Sequence, residues 1–570
     1  MATIVDFERV FQRDGLTLKL YRGEGMALLA FDLDPAQATR DFVGFAVEFK
    51  PPRAYEWFPL PNRLRFEGAP AHPNHRYSSL DAPFQKFRWV HVPSKIVRGD
   101  YAYRVTARYM RPDGSLVSGA SVMGAISLDP VTISGFVNVG FTRGFASSQA
   151  YAEKDWPNKE GILPPSELKG IAELAHPVAD FQPHYEWLGF EARRLLFDLL
   201  EACFVDDELT VEAMIYECRE PGVLEWLEKL GPRLRVLMDD HGEMGDDASP
   251  ESESARRLIA AGAEVKRTHF KRQQHNKVVI VKRNGVPVRA LAGSTNFSLR
   301  GLYIQANNVL LFEDKNIAAL YADVFAAYWS NPKKFHEHPL SQQWHVGRDT
   351  PESRFSFCFS PHRDEALSLD PVAQAIREAE SSALYAVVFL PQLTGAVKNA
   401  IEDLNNRSLF SYGVAQRTGS LTVNKPDGSR GLLPFAYIGA NAPEPFKREW
   451  SGGEGNMVHH KFVVTDFNGA RPKVFTGSSN LAAGGERENG DNLVMIEDRK
   501  VAIAYAIEAL RLFDHFHFRV RLKEGETQVK RMTLAKPPRS AGGKTWFAAC
   551  YQPGHVKERD RRLFVSQSGA

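Results

Sequence analysis

The sequence predicts a multidomain protein: an all-β sandwich of immunoglobulin or fibronectin type, then two α/β repeats that meet as one pseudo-twofold αβα unit. Three observations carry this. The first 130 residues read as strands alone, the chain then alternates helices with strands, and one motif-bearing segment recurs 184 residues later in the same register. The expected boundaries are 1–130 for the sandwich, 131–167 for a linker, 168–345 and 346–525 for the repeats, and 526–570 for a tail that packs on them.

Each element has its own warrant. "LTLKLYR", "MALLAFDL", "GFAVEFK", "KFRWVHV", "YAYRVTARYM" and "VMGAISL" alternate apolar with polar residues between Gly, Pro and Asp turns, as half-buried antiparallel strands do. No catalytic constellation stands among them, so docking or scaffolding is the expected role, with a protein partner as its target. Residues 139–167 are rich in Gly, Ser and Pro and read as a linker, the alternative being a loop over an active site. "EWLGFEARRLLFDLLEA" then reads as an amphipathic helix, "LTVEAMIY" as a strand, "PGVLEWLEKLG" as a helix and "RLRVLMDD" as a buried strand. The same grammar restarts near residue 382 with "SALYAVVFLP".

With 570 residues, 71 Lys and Arg against 69 Asp and Glu, and a net charge of +2, the chain has no bulk signature of a polyanion binder. Any such preference must come from a local patch. The four cysteines are scattered, without CxxC pairs or metal spacing, and read as buried thiols. The start "MATIVDFERVFQRDG" carries acidic residues where a secretion signal has an apolar core, and no run approaches a membrane span. A cytoplasmic protein without a transmembrane segment is the expectation.

The repeat carries the chemistry. "QQHNKVVIVKRNGVPVRALAGSTNF" from Gln273 and "MVHHKFVVTDFNGARPKVFTGSSNL" from Met457 align without a gap. The match places His275 with His459, Lys277 with Lys461, Ser294 with Ser478, Asn296 with Asn480, and Asn308 with Asn492. On a strand, residues two apart share a face, so His275 and Lys277 point one way, as do His459 and Lys461, while His460 turns outward. Polar side chains on apolar strands are costly to bury unless they act together. Two copies face to face would collect two imidazoles, two ammonium groups, two amides and two Gly-Ser turns, a set suited to a phosphodiester. One imidazole can attack phosphorus while the other protonates the leaving oxygen and then activates water. No metal or other cofactor is called for, and one chain supplies a complete site without oligomerisation.

The duplicated HxK with a downstream GS-x-N resembles the HKD motifs of the phospholipase D superfamily, over about residues 170–525. With the strand-rich N-terminus and "FTRGFASSQAYA", the arrangement is similar to a group of bacterial phospholipase D-like proteins. The resemblance implies phosphodiester cleavage or exchange, on nucleic acid or phospholipid. By analogy with two-repeat relatives it implies His275 as nucleophile and His459 as general acid, then base. Family motifs read HxKxxxxD: Asp466 completes the second copy as structural support, whereas Lys282 stands in the first. Family members also carry an acidic residue before the last Asn; Asp491 is in that place, opposite Asn307 in the first copy, and Asp491 has either histidine as its partner.

Three further segments were weighed. The basic run "KRTHFKRQQHNK" precedes His275, so Lys266, Arg267, Lys271 and Arg272 are expected at the mouth of the site, with Lys271, Arg272, Ser294, Ser478 and Asn307 binding substrate. This placement favours nucleic acid, with an inactive binding protein as the remaining alternative. Asp239, Asp240 and His241 read as a solvated acidic loop. The stretch Thr418 to Gly455 reads as a lid or groove wall.

Overall fold

The computed structural model describes residues 7–72, 76–164, 171–416, 421, 423–424, 429–434, 446, 457–527, 532–540 and 542–566. Most of the Thr418–Gly455 stretch therefore lies outside the described residues. Its described strand Leu432–Pro434 closes one edge of a sheet.

The N-terminal region forms two four-stranded antiparallel sheets. One runs in the order Glu8–Arg13, Leu16–Arg22, Ala27–Leu33, Arg88–His91, and the other Leu116–Ser127, Asp100–Met110, Phe42–Lys50, Phe58–Pro59. Leu18, Leu20, Leu29 and Phe31 of the first meet Phe45, Val47, Tyr103 and Val105 of the second in one core. The first sheet is covered on its other face as well: Tyr21, Met26, Leu28 and Ala30 join the core of the larger unit, beside the helix Arg499–Thr527. That double burial explains why "MALLAFDL" is almost wholly apolar, and it fastens this region to its own chain.

Two larger sheets follow. The first has seven strands, in the order Val137–Phe141, Asn308–Phe312, Val286–Gly293, Lys277–Arg283, Leu209–Ile215, Leu234–Met238, Glu264–Arg267. The second has eight: His345–Thr350, then Ser353–Phe359, Asn492–Asp498, Lys473–Gly477, Lys461–Thr465, Ser382–Val387, Phe410–Ala415, Leu432–Pro434. From Val137 and from Ser353 onward the two orders run element for element. In both, the strand bearing the HxK lysine lies at the middle. Alternate residues of the second sheet feed different cores, with Leu384, Phe462 and Val464 on one side and Ala383, Tyr385 and Val463 on the other.

The structure corrects three expectations. Residues 137–141 are an edge strand of the seven-stranded sheet, and Arg143, Phe145 and Tyr151 beyond them are buried, so of the segment expected as a linker from 131 to 167 the described residues 131–164 are structural. Its Gly and Ser content marks short helical turns instead of a free connection. The tail packs on both units: Phe547 enters the N-terminal core, Leu534 lies against Phe66, and Phe564 packs edge-on to Phe410 and tilted against Phe467. Asp239 is fully buried and hydrogen-bonded, so "MDDHG" opens inside the protein.

Candidate active site

Each HxK segment crosses into the other half before its strand begins. His275 donates its N–H to the Gly490 carbonyl, and Gly490 donates to Gln273. His459 donates in the same way to Ala306, which donates to Met457. These two parallel bridges, Gln274 to Gly490 and Ala306 to Val458, lace the sheets together at the motif. The residue after each bridge therefore reaches the opposite histidine. Asp491 Oδ1 lies 2.7 Å from His275 Nδ1, and Asn307 Oδ1 lies 2.9 Å from His459 Nδ1.

The Gly-Ser turns hold these two partners. Ser478 donates to Asp491 Oδ1 at 2.6 Å and Ser294 to Asn307 Oδ1 at 2.8 Å, while each serine accepts the N–H of the following Asn492 or Asn308. Gly293 and Gly477 have φ of 151° and 149°, and a Cβ at either would run into the carbonyl of Asn308 or Asn492. Both serines are thus committed within the protein, as is Asn307, whose amide also donates to the Gly301 carbonyl. The expectation that these three bind substrate is replaced by one in which they set the imidazoles.

A carboxylate only accepts, so Nδ1 of His275 carries the proton toward Asp491 and Nε2 keeps its lone pair. Burial first, then Lys277, pulls His275 down to about 4, against the upward pull of Asp491. Burial likewise lowers Lys277 to about 7, with Asp491 and Glu217 opposing. His459 falls well below its ordinary value through burial, Lys461, Lys277 and His275, so all four groups share one electrostatic environment. Lys461 is also lowered, by burial and by Lys277, and its Nζ lies 3.2 Å from His459 Nε2. Asn296 and Asn480 each present a buried amide oxygen without a hydrogen-bond partner, and Asp491 Oδ2 is a third such atom.

His460 does not face outward: it is fully buried, with Nε2 3.0 Å from Glu508 and Nδ1 3.3 Å from the amide of Asn308. The sheet is covered on both faces, which alternation alone does not reveal. The first-half counterpart Asn276 accepts from Asn492 at 2.8 Å. Asp466 is remote from the imidazoles and accepts from the N–H groups of Glu380, Ser381 and Ser382. Lys282, in the matching place, pairs with Glu212 at 2.7 Å.

The basic run is mostly drawn into the protein. Lys266 donates to the Trp329 carbonyl and Arg267 to that of Asp239, so neither stands at a mouth. The side chains of Lys271 and Arg272 are 75% and 57% exposed, both beside Glu488 of the other half. Sequence reasoning missed Tyr216, whose ring stands edge-on to His275 at 4.8 Å and 4.5 Å from Lys277 Nζ, its hydroxyl accepting from Gln273. It also missed Asp239, which accepts the Gln274 N–H at 2.5 Å beside the histidine. Tyr216 has no aromatic counterpart, since strand register makes Val388 its equivalent, whereas the place of Asp239 is taken by Gln416, whose Oε1 accepts the Val458 N–H at 2.9 Å.

The geometry is thus two cross-braced histidines, each followed by a lysine that begins a central strand. Residues 221–329 match the family described as cardiolipin synthase, phospholipase D-like domain. The first half thus contains a phospholipase D-like domain, and the resemblance to the phospholipase D superfamily holds beyond the histidine motifs. A 49-residue stretch is 39% identical to a phospholipase D of Rickettsia felis, covering 9% of this chain and 22% of that relative. The chain thus matches about a fifth of that relative's length. Among solved structures, the chain is similar to phosphatidylserine synthase of Haemophilus influenzae, at 11% identity and a TM-score of 0.40, over 60% of this chain and 92% of that one. It is also similar to Nuc of Salmonella typhimurium, a phospholipase D family member, at 18% identity and a TM-score of 0.21, over 24% and 87% of the two chains.

Proposed function

We propose that the protein is a phosphodiesterase of phospholipase D type, built on a duplicated, pseudo-twofold αβα unit with an immunoglobulin-type sandwich as its scaffold. The observation that carries the reading is the cross-bracing: both imidazoles have Nδ1 held by the opposite half, which turns both Nε2 atoms to the chemistry, that of His459 with Lys461 Nζ beside it at 3.2 Å. In the first step His275 Nε2 forms a bond to phosphorus as the bond to the leaving oxygen breaks, and His459 gives that oxygen a proton. In the second, water attacks phosphorus and passes its proton to His459, the P–N bond breaks, and a phosphomonoester leaves with His275 restored. Lys277, Lys461, Asn296 and Asn480 hold the non-bridging oxygens. The bound anion raises the pKa of both lysines and of His459, which reverses the depression that burial imposes on the empty site.

Asp491 supports the assignment of His275 as nucleophile. Its carboxylate stabilises the cationic imidazole character that develops as nitrogen bonds to phosphorus, whereas the amide of Asn307 only orients His459. For substrate we assign nucleic acid, because Lys271 and Arg272 remain exposed a few residues before His275. Phospholipid is the competing class; among the described residues no helix is long and apolar enough to cross a membrane.

The deciding experiment offers single- and double-stranded DNA, RNA, phosphatidylcholine and an aryl phosphodiester to the full chain with a chelator present, and then traps radiolabelled phosphate on protein. Cleavage with acid-labile label on the wild type and none on His275→Ala is the expected result. Activity that survives His275→Ala would sink the mechanism, and cleavage of phosphatidylcholine alone would move the substrate to lipid.

A further inference from the structure

The residue after each outer strand repeats a contact that the aligned motifs do not include. Val137–Phe141 and Ser353–Phe359 occupy the same place in their sheets, with Phe141 opposite Asn308 and Phe359 opposite Asn492. Thr142 and Ser360 come next, and both are buried. The Thr142 hydroxyl donates to the Gln305 carbonyl at 2.7 Å and accepts the Asn307 N–H at 3.0 Å, while its own N–H donates to the Asn307 carbonyl. The Ser360 hydroxyl donates to the Asn489 carbonyl at 2.8 Å and accepts the Asp491 N–H at 3.1 Å, while its own N–H donates to the Asp491 carbonyl. One pattern of three hydrogen bonds thus clasps the backbone of each residue that braces a histidine.

We propose that Thr142 and Ser360 are paired positioning residues, Thr142 for His459 through Asn307 and Ser360 for His275 through Asp491. The inference rests on the phosphodiesterase reading for its kinetic form. The clasp fixes the backbone, the serines of the Gly-Ser turns fix the side-chain oxygen, and the imidazole has no freedom left at Nδ1. What stands behind the two clasps differs. The Ser360 carbonyl accepts from the Tyr328 hydroxyl at 2.6 Å. The Thr142 carbonyl accepts from Arg511 at 2.9 Å, which pairs with Glu508 at 2.7 Å, which in turn meets His460. The buried His460 thereby has a role: it anchors the ionic chain that holds the clasp of its sequence neighbour, His459.

The two clasps should separate by leaving group. The experiment compares Thr142→Val, Thr142→Ser, Ser360→Ala and Ser360→Thr in the full chain on one diester with a nitrophenyl leaving group and one with an alkyl leaving group. Thr142→Val should lower kcat on the alkyl ester about tenfold or more with KM little changed, and spare the nitrophenyl burst, which needs no proton. Ser360→Ala should slow the burst on both esters by a similar factor. The hydroxyl-bearing replacements should recover most of each loss. Equal losses on both esters for both positions, or no recovery with the hydroxyl restored, would overturn the proposal and leave a purely structural role. A wild type that cleaves neither ester sinks the phosphodiesterase reading instead, and the clasps are then judged on 15N signals of the imidazoles. A change confined to His459 in Thr142→Val and to His275 in Ser360→Ala supports them; unchanged signals overturn them.

Discussion

His275 and His459 stand in equivalent places in two sheets of the same strand order, yet one is braced by a carboxylate and the other by an amide. The geometry is nearly the same, 2.7 Å against 2.9 Å, and so is the serine that fixes the bracing oxygen. The charge is what differs. The two halves keep the positions and split the electrostatics, which suits the different roles proposed for the two imidazoles. In the proposed mechanism a carboxylate helps the histidine that becomes cationic on bonding to phosphorus. A neutral amide leaves the other free to lose its proton to a leaving oxygen. Behind them the asymmetry is reversed: the amide side is backed by the ionic chain of His460, Glu508 and Arg511, the carboxylate side by neutral Asn276 and Tyr328.

The largest effects should come from removing an imidazole. His275→Ala should lose at least about 10³-fold in kcat with every leaving group, since no phosphoenzyme can form. His459→Ala should lose about 10²–10⁴-fold on an alkyl ester and far less on a nitrophenyl ester in a burst measurement. Equal losses on both esters for both variants would erase the proposed division of labour.

Exchanging the braces is the next sharpest test. Asp491→Asn makes both halves amide-braced and should cost about 10- to 100-fold in kcat, while Asn307→Asp cannot compensate because it acts on the wrong imidazole. If the double exchange restored activity, the roles of the two histidines would be interchangeable. The pH profile carries the same comparison. If His275 attacks as the neutral base, as proposed, kcat/KM should fall as pH drops through about 4; if Lys277 binds as the cation, it should fall again as pH rises through about 7. Asp491 raises both groups, so Asp491→Asn should move both limbs to lower pH. A profile with neither limb shifted would remove Asp491 from the site's electrostatics.

What could be read from sequence was what is local or repeated. The HxK spacing, the Gly-Ser turns and the matching of Asp491 with Asn307 all stand in one register and needed no fold. Which histidine Asp491 serves did need it, because the crossing depends on Gly490 pairing with Gln273 of the other half, more than 200 residues away. The strand Val137–Phe141 reads as linker because it runs into a stretch rich in Gly, Ser and Pro, with 40 residues between it and the helix Gln182–Val205, whereas its counterpart meets its helix almost at once. "GFTRG" and "CFSPH" hold the signal that was available, an aromatic followed by a hydroxyl at the end of an apolar strand. The basic run misled for a related reason: charge is visible in sequence, but the carbonyls of Trp329 and Asp239 that absorb Lys266 and Arg267 are not.

The smallest expected effect separates support from chemistry in the motif itself. Asp466 completes the HxKxxxxD pattern only in the second half, where it sits at the far end of the strand that Lys461 begins and takes the N–H groups of Glu380, Ser381 and Ser382. The first half secures the corresponding strand end with the Lys282–Glu212 ion pair. Two different fastenings at one position mean that the position needs a fastening, not a particular acid. Asp466→Ala should therefore lower stability by about 1–3 kcal/mol, from the N–H groups it leaves unpaired, with kcat within about twofold of the wild type. Lys282→Ala, which breaks a partly exposed pair, should cost less, about 0–1 kcal/mol. Denaturant midpoints measured beside kcat decide the matter: a large loss of kcat in Asp466→Ala at unchanged stability would put the aspartate back in the reaction and make the first half, which lacks it, the deficient one.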